Sequence, residues 1–258
     1  MVCKLIWERD NFKLVFYIPH FMQIIPLVLF AFLATAARGQ SVDSSWLTNH
    51  YLPAFYVDTG TYLHPTSLID NKGNNVLLSN YTGKILYIDI WSTNCAPCIA
   101  KFPYQEQLMK RLKVLQLDTA VLFININIED SEIKWKKALD KYHPTGINLH
   151  SIDTGLYTNW NIPALPCYIL LDWSEKVLGK GICGPDDAFV DWLLYCATKG
   201  VHPADAVWRQ FAQNKLMEQN RSSSAFTDKE YAHWFSSLMP AMLEYNQWRE
   251  KHQTPKGQ

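Results

Sequence analysis

The sequence predicts an α/β fold in which helices flank a central mixed sheet. Two β-rich apolar runs, 84–91 and 119–128, are each followed by a helical pattern. This strand–helix–strand–helix order is typical of parallel strands with right-handed crossovers. Residues 167–182 contain two further apolar runs joined by a short polar turn, which indicates an antiparallel hairpin. Parallel and antiparallel strands together make the predicted sheet a mixed one.

The first 39 of the 258 residues differ from the rest of the chain. Basic residues precede an apolar run from Phe21 to Ala37 that ends in small residues. This order is typical of a secretory signal peptide, with cleavage after Ala36 or Gly39. An uncleaved membrane anchor is the alternative, because the run approaches the roughly 18–20 apolar residues that span a bilayer. We therefore expect residues 1–39 to be a signal peptide or membrane anchor, and the protein to be exported.

The elements before the cysteines follow in order. Residues 41–71 are aromatic and irregular, and we expect a lead-in with one or two short strands. The Lys72-Gly73 turn predicts a small hairpin. The run 84–91 is predicted to be a buried central strand. A helix then begins at the cysteines and bends near Pro103, which lacks the N–H that a helix interior needs.

The second half of the domain continues the alternation. Residues 119–128 form a second buried strand, and residues 130–142 a helix capped by Asp130 or Ser131. After the hairpin, a last helix is predicted between Pro185 and Gly200. We place the domain at residues 41–200.

Residues 201–258 have a separate helical pattern and form a predicted C-terminal helical extension. Pro203 opens the first helix, a polar stretch at 220–226 breaks it, and Thr227 and Glu230 form a capping box for the second. We expect both helices to pack back onto the domain, either as a stabilising appendage or as a partner-binding surface.

Composition and charge exclude one class of partner. Lys plus Arg and Asp plus Glu both total 24, and 48% of the residues are apolar. The chain therefore has ample material for a core and no basic excess to neutralise a phosphate backbone. We expect no nucleic-acid partner, and membrane contact only if the leader is uncleaved.

The sequence WSTNCAPC places Cys95 and Cys98 directly after the central strand, with two residues between them. A zinc site needs four ligands, and no second Cys-x-x-Cys or suitably spaced His group is present. Attachment of c-type haem needs His directly after Cys98, where Ile99 stands. In an exported chain, where disulfides persist, the pair is best interpreted as a redox dithiol. We expect no metal and no cofactor.

The redox interpretation assigns the two thiols different properties. Cys95 is predicted at a helix N-terminus, where the macrodipole and the N–H groups stabilise a thiolate. Cys98 lies one turn later, where it would be buried and close enough to attack a mixed disulfide on Cys95. Pro97 stiffens the ring between them.

The sequence KILYIDIWSTNCAPC resembles the active-site strand and turn of the thioredoxin superfamily. Together with NKGNNVLLSNYTGK and NIPALPCYILLD, it is most similar to the exported TlpA/ResA-like branch, which is grouped with the AhpC/TSA peroxiredoxins. The similarity covers roughly residues 52–198. It implies a thioredoxin-like fold and an exported thiol-disulfide oxidoreductase in the periplasm or cell envelope of a bacterium. Its partners would be protein disulfides or dithiols.

The resemblance also implies roles for the central strand and the cysteines. Cys95 matches the attacking thiol and Cys98 the resolving thiol. Trp91 matches the tryptophan beneath the active site. Asp89 matches the buried acid that passes a proton to and from the resolving thiol, with a solvent-facing strand residue as the alternative.

A proline loop completes the expected site. Pro166 resembles the cis-proline that faces the cysteines, and Leu165 would offer backbone groups to a bound peptide. Pro163 competes for the cis-proline role, but the strand starts directly after Pro166. Asn94 and Pro97 would contribute to the surface that meets the substrate.

Three residues depart from the family pattern. Lys101 stands where Glu is usual, and a cation there favours a thiolate if it points inward. Asn94 replaces a common aromatic residue. Cys167 stands where many relatives have Thr, and is either a buried core residue or a third redox thiol. We expect Cys183 and Cys196 to be buried apolar residues, with a disulfide between them or a cross-strand Cys167–Cys183 bond as alternatives.

Three functions remain open. The first is thiol-disulfide exchange, and the Ala-Pro pair between the cysteines resembles reducing members more than strong oxidants. A thiol peroxidase needs a Thr-x-x-Cys turn and an Arg, whereas Thr93 lies only two residues before Cys95. The third is a non-catalytic module that binds an extended peptide.

Overall fold

A seven-stranded mixed sheet forms the centre of the computed structural model, which describes residues 44–220 and 222–252. The strands are β1 (Leu68–Asp70), β2 (Asn75–Val76), β3 (Ile85–Trp91), β4 (Val121–Asn127), β5 (Ile147–Ser151), β6 (Cys167–Leu171) and β7 (Val177–Lys180). Their spatial order is β2-β1-β5-β4-β3-β6-β7. The predicted signal peptide or anchor, with both cleavage positions, lies outside the described residues.

Helices flank this sheet, as predicted. They are α1 (Ser44–Trp46), α2 (Ala96–Ile99), α3 (Phe102–Val114), α4 (Glu132–Tyr142), α5 (Leu156–Asn159), α6 (Val190–Thr198), α7 (Pro203–Asn220) and α8 (Lys229–His252). Single π and 3-10 turns occur at Leu47–Tyr51, Leu52–Phe55, Leu78–Tyr81 and Ser223–Ala225. The predicted fold class is confirmed, including the hairpin around Lys72-Gly73 and the two C-terminal helices.

Strand β3 is buried along its whole length. It pairs in parallel with β4 and antiparallel with β6, so both of its edges are hydrogen-bonded. Successive side chains point to opposite faces. Tyr87 packs with residues of α3 and α6 on one face, whereas Ile88 packs with Leu156 and Trp160 on the other. Such two-sided burial explains why the strand reads as a continuous apolar run.

Strand β5 is the element that sequence patterns missed. It pairs in parallel with β4 and antiparallel with β1. Its sequence, INLHS, carries Asn148 and His150, which break the apolar run. Both side chains find internal partners: Asn148 donates to the Pro144 carbonyl oxygen at 3.0 Å, and His150 bonds Asn127 at 3.1 Å.

Two helix starts and the lead-in differ from the prediction. The second C-terminal helix is capped by Asp228, which accepts the Tyr231 N–H at 3.0 Å, while Thr227 donates its own N–H to Gln213. The capping box predicted at Thr227 is therefore wrong. Helix α6 begins at Val190 rather than near Pro185. The lead-in contains one short strand, β1, as expected, but its first part forms helical turns at 44–55 that bury Leu47 and Phe55 against the core.

The C-terminal helices pack on the helices of the sheet domain. Trp192 of α6 donates its indole N–H to the Ala206 carbonyl of α7 at 2.9 Å. The same indole lies 5.0 Å from the Trp234 ring of α8 in an edge arrangement. Tyr104 of α3 meets Trp248 of α8 edge-on at 5.2 Å. Large aromatic contacts thus join the extension to the domain. Across the described ranges, no helix has the length and apolar character needed to span a bilayer.

A buried ion pair ties α3 to α6. Arg111 Nε donates to Asp191 Oδ1 at 2.8 Å, and the two side chains are 2% and 6% exposed. The guanidinium group also lies 4.1 Å from the centre of the Tyr245 ring of α8. One cation therefore contacts three helices.

We predict that Asp191→Ala lowers the free energy of unfolding by about 3–5 kcal/mol, because it leaves the Arg111 charge buried and unpaired. Denaturant unfolding followed by circular dichroism measures this loss. Glu106→Ala is the matched control: it removes the exposed Glu106–Lys110 pair of the same helix and should cost less than about 1 kcal/mol. Equal losses in both variants would contradict the role of the buried pair.

Candidate functional site

Cys95 and Cys98 lie where β3 passes into α2, and they form a disulfide with a Cα–Cα distance of 5.3 Å. Cys95 caps α2, because its sulfur accepts the Cys98 N–H at 3.2 Å. Cys95 is half-buried, whereas Cys98 is fully buried. An incoming thiol can therefore reach Cys95 and not Cys98. Asn94 and Pro97 are exposed on either side of Cys95.

Pro103 lies in the first turn of α3, where its missing N–H breaks no helical hydrogen bond. Between α2 and α3 the chain turns at Ala100 and Lys101. The predicted bend near Pro103 is confirmed, and it takes the form of two separate helices.

Trp91 ends β3 and is fully buried beneath the cysteines. It packs in one apolar cluster with Cys98 and Phe102, and it meets the Phe102 ring edge-on at 5.1 Å. Leu165 packs against the same cluster. The Leu165–Pro166 peptide bond is cis. The structure thus brings the proline loop and the tryptophan to the cysteine pair.

Asp89 lies in the middle of β3 and is fully buried. Gln105 of α3 brings its amide nitrogen to 3.5 Å from Asp89 Oδ2, and the same nitrogen donates to Asn125 at 2.7 Å. Burial raises the pKa of the Asp89 carboxyl group to about 8. A carboxyl group with a pKa near 8 gains and loses a proton readily at neutral pH, which suits an acid–base catalyst.

Asp130 is a site residue that sequence patterns missed. Its carboxylate accepts hydrogen bonds from the Thr93 N–H at 2.7 Å and the Thr93 hydroxyl at 2.6 Å. Asn127 and Lys134 donate to it at 2.8 Å each. Asp130 therefore fixes the turn that precedes Cys95.

The pKa of Asp130 reflects these contacts. Burial by itself would raise it, but the hydrogen bonds from Lys134, Thr93 and Asn127 hold the pKa below its usual value. The helix cap is Ser131, whose hydroxyl accepts the Lys134 N–H at 3.3 Å. Asp130 and Ser131 are both good helix caps, and α4 needs only one. The sequence therefore indicated that the second side chain could form a contact elsewhere.

Lys101 and Asn94 each contact a charged side chain. Lys101 forms an ion pair with Asp186, so its charge is balanced by a carboxylate. The thiolate-stabilising role predicted for an inward-pointing Lys101 is thereby weakened. Asn94 accepts a hydrogen bond from Lys134 at 2.9 Å, so its carbonyl oxygen is held beside the exposed edge of the site.

Cys167, Cys183 and Cys196 are all buried and lie outside the disulfide. Burial raises the pKa of Cys167 to about 11 and that of Cys196 to about 12. Only a small fraction of either thiol ionises at neutral pH, and the thiol form is a weak nucleophile. These values favour the core interpretation of Cys167 over a third redox thiol.

Comparisons with known proteins agree with this geometry. The Redoxin family matches residues 49–187. The thiol-disulfide oxidoreductase ResA of Geobacillus kaustophilus is 25% identical over 130 residues, which are 50% of this chain and 72% of that protein. ResA of Bacillus subtilis is 26% identical over 114 residues, or 43% of this chain and 60% of the relative.

The thioredoxin domain of a thiol-disulfide oxidoreductase from Bacteroides vulgatus is 25% identical, with a TM-score of 0.44. The match covers 55% of this chain and 96% of that domain.

We predict that Asp89→Asn stabilises the protein at pH 7. The folded-state pKa of about 8 lies above the usual 3.8, so the unfolded chain ionises first and the stability of the native protein falls as pH rises between these two values. The variant should gain about 2–4 kcal/mol at pH 7 and little at pH 4. Urea unfolding at both pH values measures the difference, and an equal effect at both would refute the assignment.

We predict that Asp130 stabilises the native protein at neutral pH and loses this effect in acid. The folded-state pKa is depressed, so the stabilisation is present above the usual value of 3.8 and disappears as pH falls through the folded-state pKa. Asp130→Ala should lower the melting temperature at pH 7, and this difference from the unmodified protein should shrink as the pH falls through the folded-state pKa. Asp140→Ala, which removes an exposed carboxylate of α4, is the control and should change the melting temperature little at either pH.

Proposed function

This chain belongs to the Redoxin family, and we propose that it is a thiol-disulfide oxidoreductase that exchanges disulfides with other proteins through Cys95 and Cys98. One observation carries the proposal: at the end of the central strand, a half-buried cysteine forms a disulfide with a fully buried cysteine three residues later. The ResA relatives are named thiol-disulfide oxidoreductases, which supports the proposal. The order of attack follows from the difference in burial.

In the reducing direction, the reaction starts from the reduced pair. The Cys95 thiolate attacks one sulfur of a substrate disulfide; a Cys95–substrate disulfide forms, and the other substrate sulfur leaves as a thiolate that takes up a proton. Cys98 then loses its proton and attacks Cys95 Sγ. The Cys95–Cys98 bond forms and the second substrate sulfur leaves as a thiolate. Two electrons pass to the substrate, and the disulfide seen in the structure is the oxidised product.

Asp89 is proposed as the proton acceptor for Cys98. A buried thiol next to apolar residues resists ionisation, so the resolving step needs a base within the protein. In that step the Cys98 thiol becomes a thiolate and the Asp89 carboxylate becomes a carboxylic acid, which later returns its proton. A pKa near 8 allows both halves of this cycle.

The substrate surface is proposed to comprise Asn94, Pro97, Leu165 and Pro166. Asn94 and Pro97 are exposed beside Cys95, and Leu165 packs against the apolar cluster below it. An extended peptide lying here would pair with the backbone of the proline loop, as a strand pairs with a sheet edge.

The direction of electron flow and the location of the protein are parts of the same proposal. We propose a reducing role, supported by the Ala-Pro pair between the cysteines. A measured reduction potential tests it, and a value near about −120 mV, typical of the strong oxidant DsbA, would refute it. Export is supported by the basic and apolar pattern of residues 1–37. Fractionation of the native host, with sequencing of the N-terminus, tests that part.

Two contacts weaken the peroxidase alternative. The Thr93 hydroxyl donates to Asp130 at 2.6 Å, so it is engaged with that carboxylate. Arg111 is likewise bound to Asp191. Neither residue is therefore available to hold a peroxide at Cys95.

We predict that Cys95→Ser and Cys98→Ser each abolish reduction of insulin by dithiothreitol-regenerated protein, with a loss of more than about 100-fold. Only Cys98→Ser should accumulate a stable mixed disulfide, visible as a shifted band on non-reducing gels, because its resolving thiol is gone. Cys167→Ala is the matched control and should keep nearly full activity. Activity that survives Cys95→Ser would refute the mechanism and favour a non-catalytic module.

A further inference from the structure

Asp89 and two residues that neighbour it, Gln105 and Tyr168, each carry a buried polar atom that lacks a partner. Across the described part of the chain, Asp89 Oδ1, Gln105 Oε1 and the Tyr168 hydroxyl have no protein hydrogen-bond partner. A buried polar atom without a partner costs about 1–3 kcal/mol, so such atoms are rare singly and rarer in groups. Their occurrence together needs a physical explanation.

The sheet register and helix α3 bring the three residues that carry these atoms together. Asp89 of β3 lies directly opposite Tyr168 of β6, so both side chains project from the same face. Gln105 covers this face from α3, with its amide nitrogen 3.5 Å from Asp89. The Asn125 side chain, on the other side of Asp89, is already satisfied: it accepts from Gln105 and donates to the Thr145 carbonyl oxygen.

The three atoms match the hydrogen-bonding capacity of one water molecule. Asp89 Oδ1, when ionised, and Gln105 Oε1 are acceptors, and the Tyr168 hydroxyl is a donor. A water molecule donates twice and accepts, so it can satisfy all three at once. Buried waters typically make about three hydrogen bonds to groups that lack other partners. The Tyr168 hydroxyl can also rotate and accept, which keeps the water satisfied when Asp89 is protonated.

We propose that Asp89, Gln105 and Tyr168 form a buried site for one water molecule, through which Tyr168 acts as a positioning residue for the Asp89 carboxyl group. The hydroxyl donates to the water, and the water donates to Asp89 Oδ1 and thereby stabilises the carboxylate. The catalytic meaning of this site rests on the proposed function, because it concerns the acid that would deprotonate Cys98.

Charged and titratable groups around the site are few. Asp89 and Asp186 both raise the pKa of Tyr168, after the larger effect of burial, so the hydroxyl lies within the field of both carboxylates. Asp186 is balanced by Lys101. Gly184 permits the approach, since a Cβ there would lie 2.9 Å from the Tyr168 ring and 3.3 Å from Asp186. The Asp89 charge also raises the pKa values of Tyr87 and Cys167, by less than burial does.

A matched control lies on the same face. Tyr87 is buried, stacks on Tyr168 at 5.5 Å, and donates its hydroxyl to the Cys183 carbonyl oxygen at 2.8 Å. Tyr87→Phe removes an equally buried hydroxyl that is directed away from the water site. It should therefore leave the Asp89 pKa in place.

The experiment is an infrared titration of the Asp89 carboxylic acid band in the full chain, with Asp89→Asn to assign the band. The unmodified protein should titrate near pH 8. Tyr168→Phe removes one of the three partners of the water. The variant should therefore lose the water, and with it the hydrogen bond that the water donates to the carboxylate, which raises the midpoint by about one unit; Tyr87→Phe should raise it by less than about 0.3. No shift in Tyr168→Phe, or the same shift in both variants, would overturn the proposal.

A crystal structure of the unmodified protein gives an independent test that does not depend on the variants folding. A water peak within about 3.2 Å of Asp89 Oδ1 and the Tyr168 hydroxyl is expected; a dry contact would refute the site. Neither readout needs disulfide exchange. A protein that shows the water and the shift but fails to reduce insulin would therefore disprove the proposed function and leave this inference standing.

Discussion

The burial of β3 on both faces and both edges is the constraint on which the rest of the structure depends. Its neighbours β4 and β6 satisfy the backbone, and helices cover each face. A strand so enclosed places its end, and hence Cys95, at a fixed position. It also removes Asp89 from water, which is the physical reason for the raised pKa of that carboxyl group. The same packing therefore fixes the position of Cys95 and raises the pKa of Asp89.

The sequence predicts the elements whose pattern is local. Continuous apolar runs identify β3, β4 and β6, and the cysteine spacing identifies the redox pair. Strand β5 was not predicted, because Asn148 and His150 gain their partners only in the folded sheet. The role of Asp130 was not predicted for a related reason: its contact with Thr93 joins residues 37 positions apart. The start of the last helix was misplaced because Thr227 and Asp228 are both good caps, and the tertiary contact of Thr227 with Gln213 decides between them.

The C-terminal helices have a mechanical relation to the site. Helix α8 contacts α3 through Trp248 on Tyr104 and through Tyr245 on Arg111. Helix α3 in turn carries Gln105, which lies against Asp89. Contacts from α8 that fix the position of α3 therefore also fix the position of Gln105 beside the buried Asp89 carboxyl group.

The Thr93–Asp130 contact has a consequence for repeated turnover. Thr93 binds the carboxylate through both its N–H and its hydroxyl, two residues before Cys95, and Cys98 is enclosed by the cluster of Trp91 and Phe102. The backbone on both sides of the sulfurs is therefore clamped. These backbone contacts do not depend on the bond between the sulfurs, so reduction should add little conformational freedom to the turn. The two thiols should then stay close enough to form the disulfide again in the next cycle.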